Sequence, residues 1–542
     1  MPLIFPNSPI HYSKLTSALI VLIGLMLLWN ILWTLDKGLI FHDEAWELLH
    51  YQNGAYTIDY SNWHRVLRFM YHENLLHLRV ITVCVISFSA YFLGYSVNKF
   101  FQFQMPSLMA GFLFIIFQFF LNSPVKLVPS YTNMNFVLIN ISISFLFLFL
   151  FEERENIKRI CLILCAFFIS TLPFILVTNS LIIGLLLGVI FVISPPTQRV
   201  TYSIIFILSL LIYPIFYFTL IQTPTQFWEK YREATHYLSF DSDYGLFGIV
   251  KWHARLLLYF VQVPLFIAGI SLIFIVKNNL NRVVKNFLII ALISLVLYQL
   301  YQDISFPFSQ FPVTLWYVLF FLMLYAARNE LMMNKASLIL ILFCATLPYF
   351  ASLGTVVRFQ LKAASFFPYL AISILCLIRY NYSIKPAVFF YTLFLVGVLV
   401  FFSYNFRTGW SNYNVRKQTQ HFTINDAKGH LYLEPYRVNE LNALKPYLKD
   451  NDSVMVSHEN VWGHVYLNNA KPVYLPFRFK EKYFHYFIEK YKINAISITY
   501  VEMKRKPFPG SFKDFLKALQ SDRYSLRIVD LDEFNVYLFV KN

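Results

Sequence analysis

Apolar blocks of about 16 to 24 residues, almost free of charge, recur from residue 17 to residue 404. At about 1.5 Å of rise per helical residue, such blocks match a hydrocarbon layer about 30 Å thick. They predict about thirteen membrane spans, near 17–35, 79–97, 106–121, 134–151, 160–177, 180–195, 200–221, 256–276, 287–304, 311–327, 337–354, 365–378 and 386–404. The first block ends in the bulky run Trp33-Thr34-Leu35 with no small-residue cleavage site, so the amino terminus is expected to stay attached. After Tyr404 the pattern changes. Short β-rich runs at Ser453–Val456, Ala495–Ile498 and Val536–Val540 alternate with helical stretches near 437–448, 479–491 and 511–520. The expected fold class is a polytopic α-helical membrane protein, residues 1–404, joined by a segment 405–435 to a small α/β domain, 436–542.

Composition agrees with that pattern. The chain has 542 residues, 58% of them hydrophobic and 14% charged, and a mean hydropathy of +0.54. So few polar groups cannot cover a soluble globule of this size, and lipid must be part of the solvent. The short loops fix an expected orientation. With the amino terminus inside, Lys99, Arg154, Lys158, Arg159, Arg199, Lys277, Arg282, Lys285, Arg328, Lys335, Arg379 and Lys385 all fall on the cytoplasmic side, as the positive-inside rule requires. Segments near 36–78, 222–255 and 355–364, and the tail, then lie outside, and a multi-pass bacterial inner or plasma membrane is the expected location. Those anchors explain much of the net charge of +16, and no nucleic-acid partner is assigned. All five cysteines fall inside predicted spans, so no disulfide framework is expected. Cys161 and Cys165 share a helix face, which reads as apolar packing because two thiols alone make a poor metal site.

The first external loop, 36–78, opens with Gly38-Leu39-Ile40-Phe41-His42-Asp43-Glu44-Ala45-Trp46-Glu47-Leu48-Leu49. Two adjacent carboxylates thus stand where the chain leaves the bilayer. Carboxylates that persist near lipid usually line a wet cavity or bind something, and partial desolvation raises their pKa toward that of a general base. The same pair could instead cap the helix running through Trp46 and Leu49, where negative charge is favoured. The residues alone leave both readings open.

A span followed at once by Phe-x-Asp-Glu-Ala-x-x-x-Leu, an arginine at the mouth of the second span (His77-Leu78-Arg79-Val80), about thirteen spans and an α/β tail resembles the GT-C glycosyltransferases. The likeness is to the dolichyl-phosphate-mannose-protein mannosyltransferase-like and lipid A aminoarabinose transferase-like group. In the tail, Asp452–Val456 and the run from Val465 to Pro476 (Val465-Tyr466-Leu467-Asn468-Asn469-Ala470-Lys471-Pro472-Val473-Tyr474-Leu475-Pro476) look like the strand, helix and Y-L-x-x-x-x-P-V-x-x-P run of many bacterial members. The Lys-Pro-Pro or Glu-Lys-Pro stretch of many relatives is replaced by Asp59-Tyr60-Ser61-Asn62-Trp63-His64-Arg65, and the loop is short, which marks a divergent branch. The resemblance implies transfer of a sugar from a polyprenyl-phosphate carrier to a lipid, glycan or protein acceptor at the outer membrane face. Asp43 would be the base that takes the acceptor proton, with Glu44 supporting it or orienting the acceptor.

The leaving phosphate would need cations in a low-dielectric setting. The external candidates are Arg65, Arg68, Lys126, Lys251, Arg255, Arg358 and Lys362. Arg358 and Lys362 stand out because residues four apart share a helix face; each could also snorkel to headgroups. His42, Asp59, His64, Glu73, His236 and His253 could offer mixed nitrogen and oxygen ligands to a divalent metal, but no pair has diagnostic spacing and the cofactor stays unassigned. External Trp46, Trp63, Trp228 and Trp252 suit either sugar stacking or an interfacial belt. Two other classes remain open: a secondary transporter, which should show ionisable or broken spans at mid-membrane, and a sugar-polymer polymerase or ligase.

Overall fold

The structure is a computed structural model that describes residues 14–39, 44–45, 48–49, 74–103, 105–120, 128, 130–175, 177–239, 251, 317, 320–321, 323–324, 335–352, 365–380, 417–424, 429–448, 454–456, 462–468, 472–474, 497–503, 524–530 and 534–541. Five helical stretches among them are long and apolar enough to cross a membrane, and four shorter apolar helices accompany them. The protein is an integral membrane protein. The expected spans at 256–276, 287–304 and 386–404, and most of 311–327, lie outside the described residues.

The helices in chain order are α1 (Lys14–Trp33), α2 (Leu75–Phe101), α3 (Ser107–Phe120), α4 (Tyr131–Phe151), α5 (Glu155–Ile169), α6 (Leu172–Ile175), α7 (Ser180–Ile193), α8 (Arg199–Ser209), α9 (Ile212–Leu220), α10 (Pro224–Ser239), α11 (Lys335–Ser352) and α12 (Phe367–Tyr380). Although α1 is apolar all round, it has two sides. Ile20, Gly24, Leu27 and Ile31 pack inward, while Leu22, Leu25, Met26, Trp29, Leu32 and Trp33 are exposed at helical spacing and form a lipid-facing stripe. The expected single spans at 160–177 and 200–221 are each broken, at residues 170–171 and 210–211. Pro173 and Pro214 explain the breaks, because a proline ring clashes with the carbonyl four residues earlier. At the first break the Ser170 and Thr171 hydroxyls take the carbonyls of Phe167 and Phe168.

Packing closes on itself. Going round, α2 contacts α3, α3 contacts α12, then follow α11, α7, α8, α5 and α4, which returns to α2; α1 lies against α3. Small residues permit the close α2–α3 seam. A Cβ on Gly94 would stand 2.5 Å from the Ala110 carbonyl oxygen, and one on Gly111 would run into the Tyr91 ring. Where α2, α3, α4 and α12 meet, the buried Asn140 donates to Gln118 Oε1 (3.0 Å) and accepts from the Tyr369 hydroxyl (2.7 Å), while Gln118 donates to the Ser365 carbonyl (2.8 Å). In hydrocarbon such side chains must find partners within the protein, and these do.

The tail begins with a hairpin, β1 (Gln420–Thr423) and β2 (His430–Leu433), followed by α13 (Pro435–Leu448), β3 (Val454–Val456), α14 (Trp462–Leu467), β4 (Pro472–Tyr474), β5 (Ser497–Met503), β6 (Tyr524–Asp530) and β7 (Phe534–Lys541). The last five strands form one sheet in the order β4-β3-β5-β7-β6, with β3 parallel to both neighbours and β7 antiparallel to both of its own. Strands β3 and β7 fall on two of the three runs whose composition predicted strands, while β5 meets the third, Ala495–Ile498, only at Ser497 and Ile498 and continues to Met503. The helical stretches expected at 479–491 and 511–520 lie outside the described residues.

Helices α13 and α14 are joined by a buried polar contact. Glu440 accepts from Arg437 (2.8 Å) and lies 3.2 Å from His464 Nε2. Burial alone would raise the Glu440 pKa, but the hydrogen bond with His464 and the Arg437 charge outweigh it and hold the carboxyl below its ordinary range. A lowered carboxyl pKa contributes stability that is present above the unfolded value and lost as pH falls through the folded one. Acid melting of the tail, followed by circular dichroism, should therefore show a loss between about pH 5 and pH 2 that Glu440→Gln flattens, with a lower plateau at neutral pH. In the membrane part, Gly94→Val should cost about 1–3 kcal/mol by overpacking the α2–α3 seam, read as a lower melting temperature in detergent.

Candidate functional site

The site is built where α1 ends, α2 begins and the tail returns. The α1 helix gives way to a turn at Thr34–Asp36, and Gly38 follows with φ 68°, a left-handed conformation suited to glycine. On the other side of the loop, Asn74 starts α2 by accepting from the backbone N–H groups of Leu76 (2.9 Å) and His77 (3.2 Å). One turn into α2, Arg79 reaches back across the gap. Its Nε and Nη2 contact Glu44 Oε1 at 2.9 and 2.8 Å, its Nη2 donates to the Gly38 carbonyl (2.9 Å), and its Nη1 donates to the Leu35 carbonyl.

Both charged side chains are out of water, Arg79 with 3% of its side chain exposed and Glu44 with 1%. The guanidinium spreads its donors over a carboxylate and two carbonyls at the end of α1, in the fork geometry to which arginine is suited. This arrangement fixes where loop one starts. Glu44, Ala45, Leu48 and Leu49 are helical, and Ala45, Leu48 and Leu49 pack with Leu39, Leu75 and Leu78 in one apolar cluster. Val128, from the α3–α4 connection, belongs to the same cluster, as do Ile424, Leu431, Leu433, Val438 and Leu441 of the tail.

A second fastening runs through the backbone. Gly38 N–H donates to the Tyr432 carbonyl and Tyr432 N–H donates to the Asp36 carbonyl, both at 2.7 Å, so β2 pairs with the chain leaving α1. Lys37 Nζ lies 3.7 Å from the centre of the Tyr432 ring. At the hairpin turn Gly429 has φ 106°, and a Cβ there would stand 3.2 Å from Asn74 Oδ1. The hairpin thus touches both the end of α1 and the start of α2.

Of the residues proposed from sequence, Glu44 is described and engaged with Arg79. Asp43, Arg65, Lys126, Arg255, Arg358 and Lys362 lie outside the described residues. Two of their neighbours are placed. Val128 packs in the cluster with Ala45, and the Ser365 carbonyl is held by Gln118 in the last turn of α3. Val128 thus stands with loop one, whereas Gln118 is also bonded to Asn140 at the middle of α4, so Ser365 is anchored deeper among the helices. Lys251 is described and exposed. Among the described residues no group of three or more His, Cys, Asp or Glu could hold a metal ion. Cys161 and Cys165 are buried in the core, in keeping with their packing role.

Sequence reasoning marked both Arg79 and Glu44 but not their pairing, which joins residues 35 apart across a loop. It gave no sign of the Tyr432 fastening, which is made by backbone groups. Breaking the buried pair from one side, with Arg79→Met or Glu44→Gln, should cost about 3–5 kcal/mol, whereas Arg79→Met with Glu44→Met should recover part of that loss. Thermal unfolding of the four proteins checks this, and strictly additive losses would contradict it.

No model of a known protein family matches the sequence, and no curated protein matches it. Among solved structures, the chain is similar to the oligosaccharyltransferase AglB of Archaeoglobus fulgidus in complex with an inhibitory peptide and a dolichol-phosphate. That match has a TM-score of 0.48 and 11% identity over 90% of this chain and 69% of that one. It is similar also to the Archaeoglobus fulgidus oligosaccharyltransferase in complex with Zn and sulfate (TM-score 0.47, 12% identity, 89% and 67% covered) and to the form tethered to an acceptor peptide (0.47, 12%, 90% and 69%).

Proposed function

We propose that this protein is a membrane glycosyltransferase of the GT-C type, which moves a sugar from a polyprenyl-phosphate carrier to a lipid, glycan or protein acceptor. The observation that carries the reading is the buried Glu44–Arg79 pair. It ties the acidic start of loop one to the ends of α1 and α2, at the level where a membrane-borne carrier presents its phosphate. With Glu44 occupied by Arg79, the two carboxylates divide their roles: Asp43 takes the acceptor proton and Glu44 is a positioning residue. The acceptor oxygen attacks the anomeric carbon, the bond to the carrier phosphate breaks, and charge gathers on the phosphate oxygens.

Arg358, Lys362, Arg255, Lys126 and Arg65 are the proposed phosphate-binding cations. Support for one segment comes from its anchor: Val128, two residues after Lys126, packs in the cluster that holds Ala45 of loop one. The Trp33 side is then the extracytoplasmic face, with residues 1–404 as the transmembrane domain, 36–78 as its catalytic loop, 405–435 as the connection and 436–542 as the external α/β domain. No resident cofactor is assigned.

The test uses purified protein in nanodiscs with a panel of synthetic polyprenyl-phosphate sugars and hydroxyl-bearing acceptors. Asp43→Asn should reduce turnover by about 10²–10⁴-fold, the usual worth of a positioned base, while the melting temperature stays near that of the wild type. Carrier turnover that survives Asp43→Asn removes Asp43 from the base role. No turnover with any carrier removes the transferase reading.

A further inference from the structure

The hairpin has one buried face and one open face. In β1 and β2, Leu431 and Leu433 point into the cluster shared with loop one, and Phe422 packs against it. Strand pairing sets His421 opposite Tyr432 and Thr423 opposite His430, and by the two-residue period these four share the other face. His421 and His430 are exposed, with their rings stacked 5.3 Å apart, and the Tyr432 ring stands 5.6 Å from that of His421. Lys417, also exposed, leads into β1.

The height of this face relative to the membrane follows from α1. Twenty residues from Lys14 to Trp33 cover about 30 Å, the thickness of the hydrocarbon layer. Trp33 closes the lipid-facing stripe at the boundary, and Lys37, four residues on, lies 5.8 Å from the Trp33 ring and 3.7 Å from the Tyr432 ring. The open face of the hairpin therefore continues the lipid-facing side of α1 into the headgroup layer.

We propose that this face, formed by Lys37, Lys417, His421, His430 and Tyr432, binds the phosphates of phospholipid headgroups in the leaflet at the Trp33 side. Two ammonium groups, two imidazoles and a phenol offer hydrogen-bond donors; among the described residues the carboxylate in contact with them is Asp36, 3.2 Å from Lys37 Nζ. Aromatic rings beside lysine at this depth are also the pattern of an interfacial anchor. Bound headgroups would steady the hairpin, and through Tyr432 and Gly38 the start of loop one. The proposal is independent of the transfer reaction and of its carrier.

The test compares the full-length protein in nanodiscs of synthetic phosphatidylglycerol with the same protein in nanodiscs of diglucosyldiacylglycerol, a bilayer lipid without phosphate. Neither contains a polyprenyl phosphate. Hydrogen exchange of the 420–433 amides should be several-fold slower in phosphatidylglycerol, and Lys417→Gln/His421→Gln/His430→Gln should abolish the difference while exchanging like wild type in the glycolipid. If the triple variant fails to fold, His421→Gln alone should reduce the difference. Equal exchange of the wild type in the two lipids, or a lipid difference that persists in the folded variant, overturns the proposal.

Discussion

Arg79 is a full positive charge held almost wholly out of water, and the structure around loop one depends on its being satisfied. Glu44 supplies the counter-charge, and the carbonyls of Leu35 and Gly38 supply two further acceptors. These carbonyls belong to the chain just past α1, beyond its last residue, Trp33. One side chain thus ties down the chain leaving one helix while its own buried charge is balanced. In surroundings of low dielectric neither the charge nor the carbonyls could be left alone. The geometry of the loop start follows from that requirement rather than from the loop's own sequence preferences.

Around this contact, membrane part and tail share one apolar cluster. Leu39, Ala45, Leu48 and Leu49 of loop one meet Leu75 and Leu78 of α2, Val128, and Leu431, Leu433 and Leu441 of the tail. The pairing of Lys37 with Tyr432 adds backbone hydrogen bonds to this cluster. For the proposed chemistry the consequence is positional, since a base is useful only when it is held to within a fraction of an ångström of its substrate proton. Elements from three distant parts of the chain jointly hold Ala45, Leu48 and Leu49 of loop one.

The membrane helices were the most legible part of the sequence, because hydrophobic length is a direct physical demand of the bilayer. Block 17–35 is α1, 106–121 is α3, 134–151 is α4 and 180–195 is α7, each within a few residues. The breaks before Pro173 and Pro214 were missed, although the prolines were in view, because hydropathy averages over a whole window. Contacts between distant segments were less accessible. Asn140, an amide inside the block 134–151, stands in no motif that foretells its joining Gln118 to Tyr369. Likewise Glu440 and His464, 24 residues apart, carry no motif that announces their contact. Polar residues inside apolar blocks were the available signal, since the bilayer tolerates them only with partners.

The closed circuit of helices has a consequence for biogenesis. Gln118 finds its acceptor at Ser365, 247 residues later, and Asn140 receives the Tyr369 hydroxyl from 229 residues later. A chain threaded into the membrane from its amino terminus carries these amides in the bilayer long before the last partners are synthesised. Until α12 arrives, the first spans form an open arc with polar groups on its inner edge, suited to being held by the insertion machinery or by lipid headgroups drawn inward. Completion of the ring is therefore a late event, and truncation before residue 365 leaves the early helices inserted but without their closing seam.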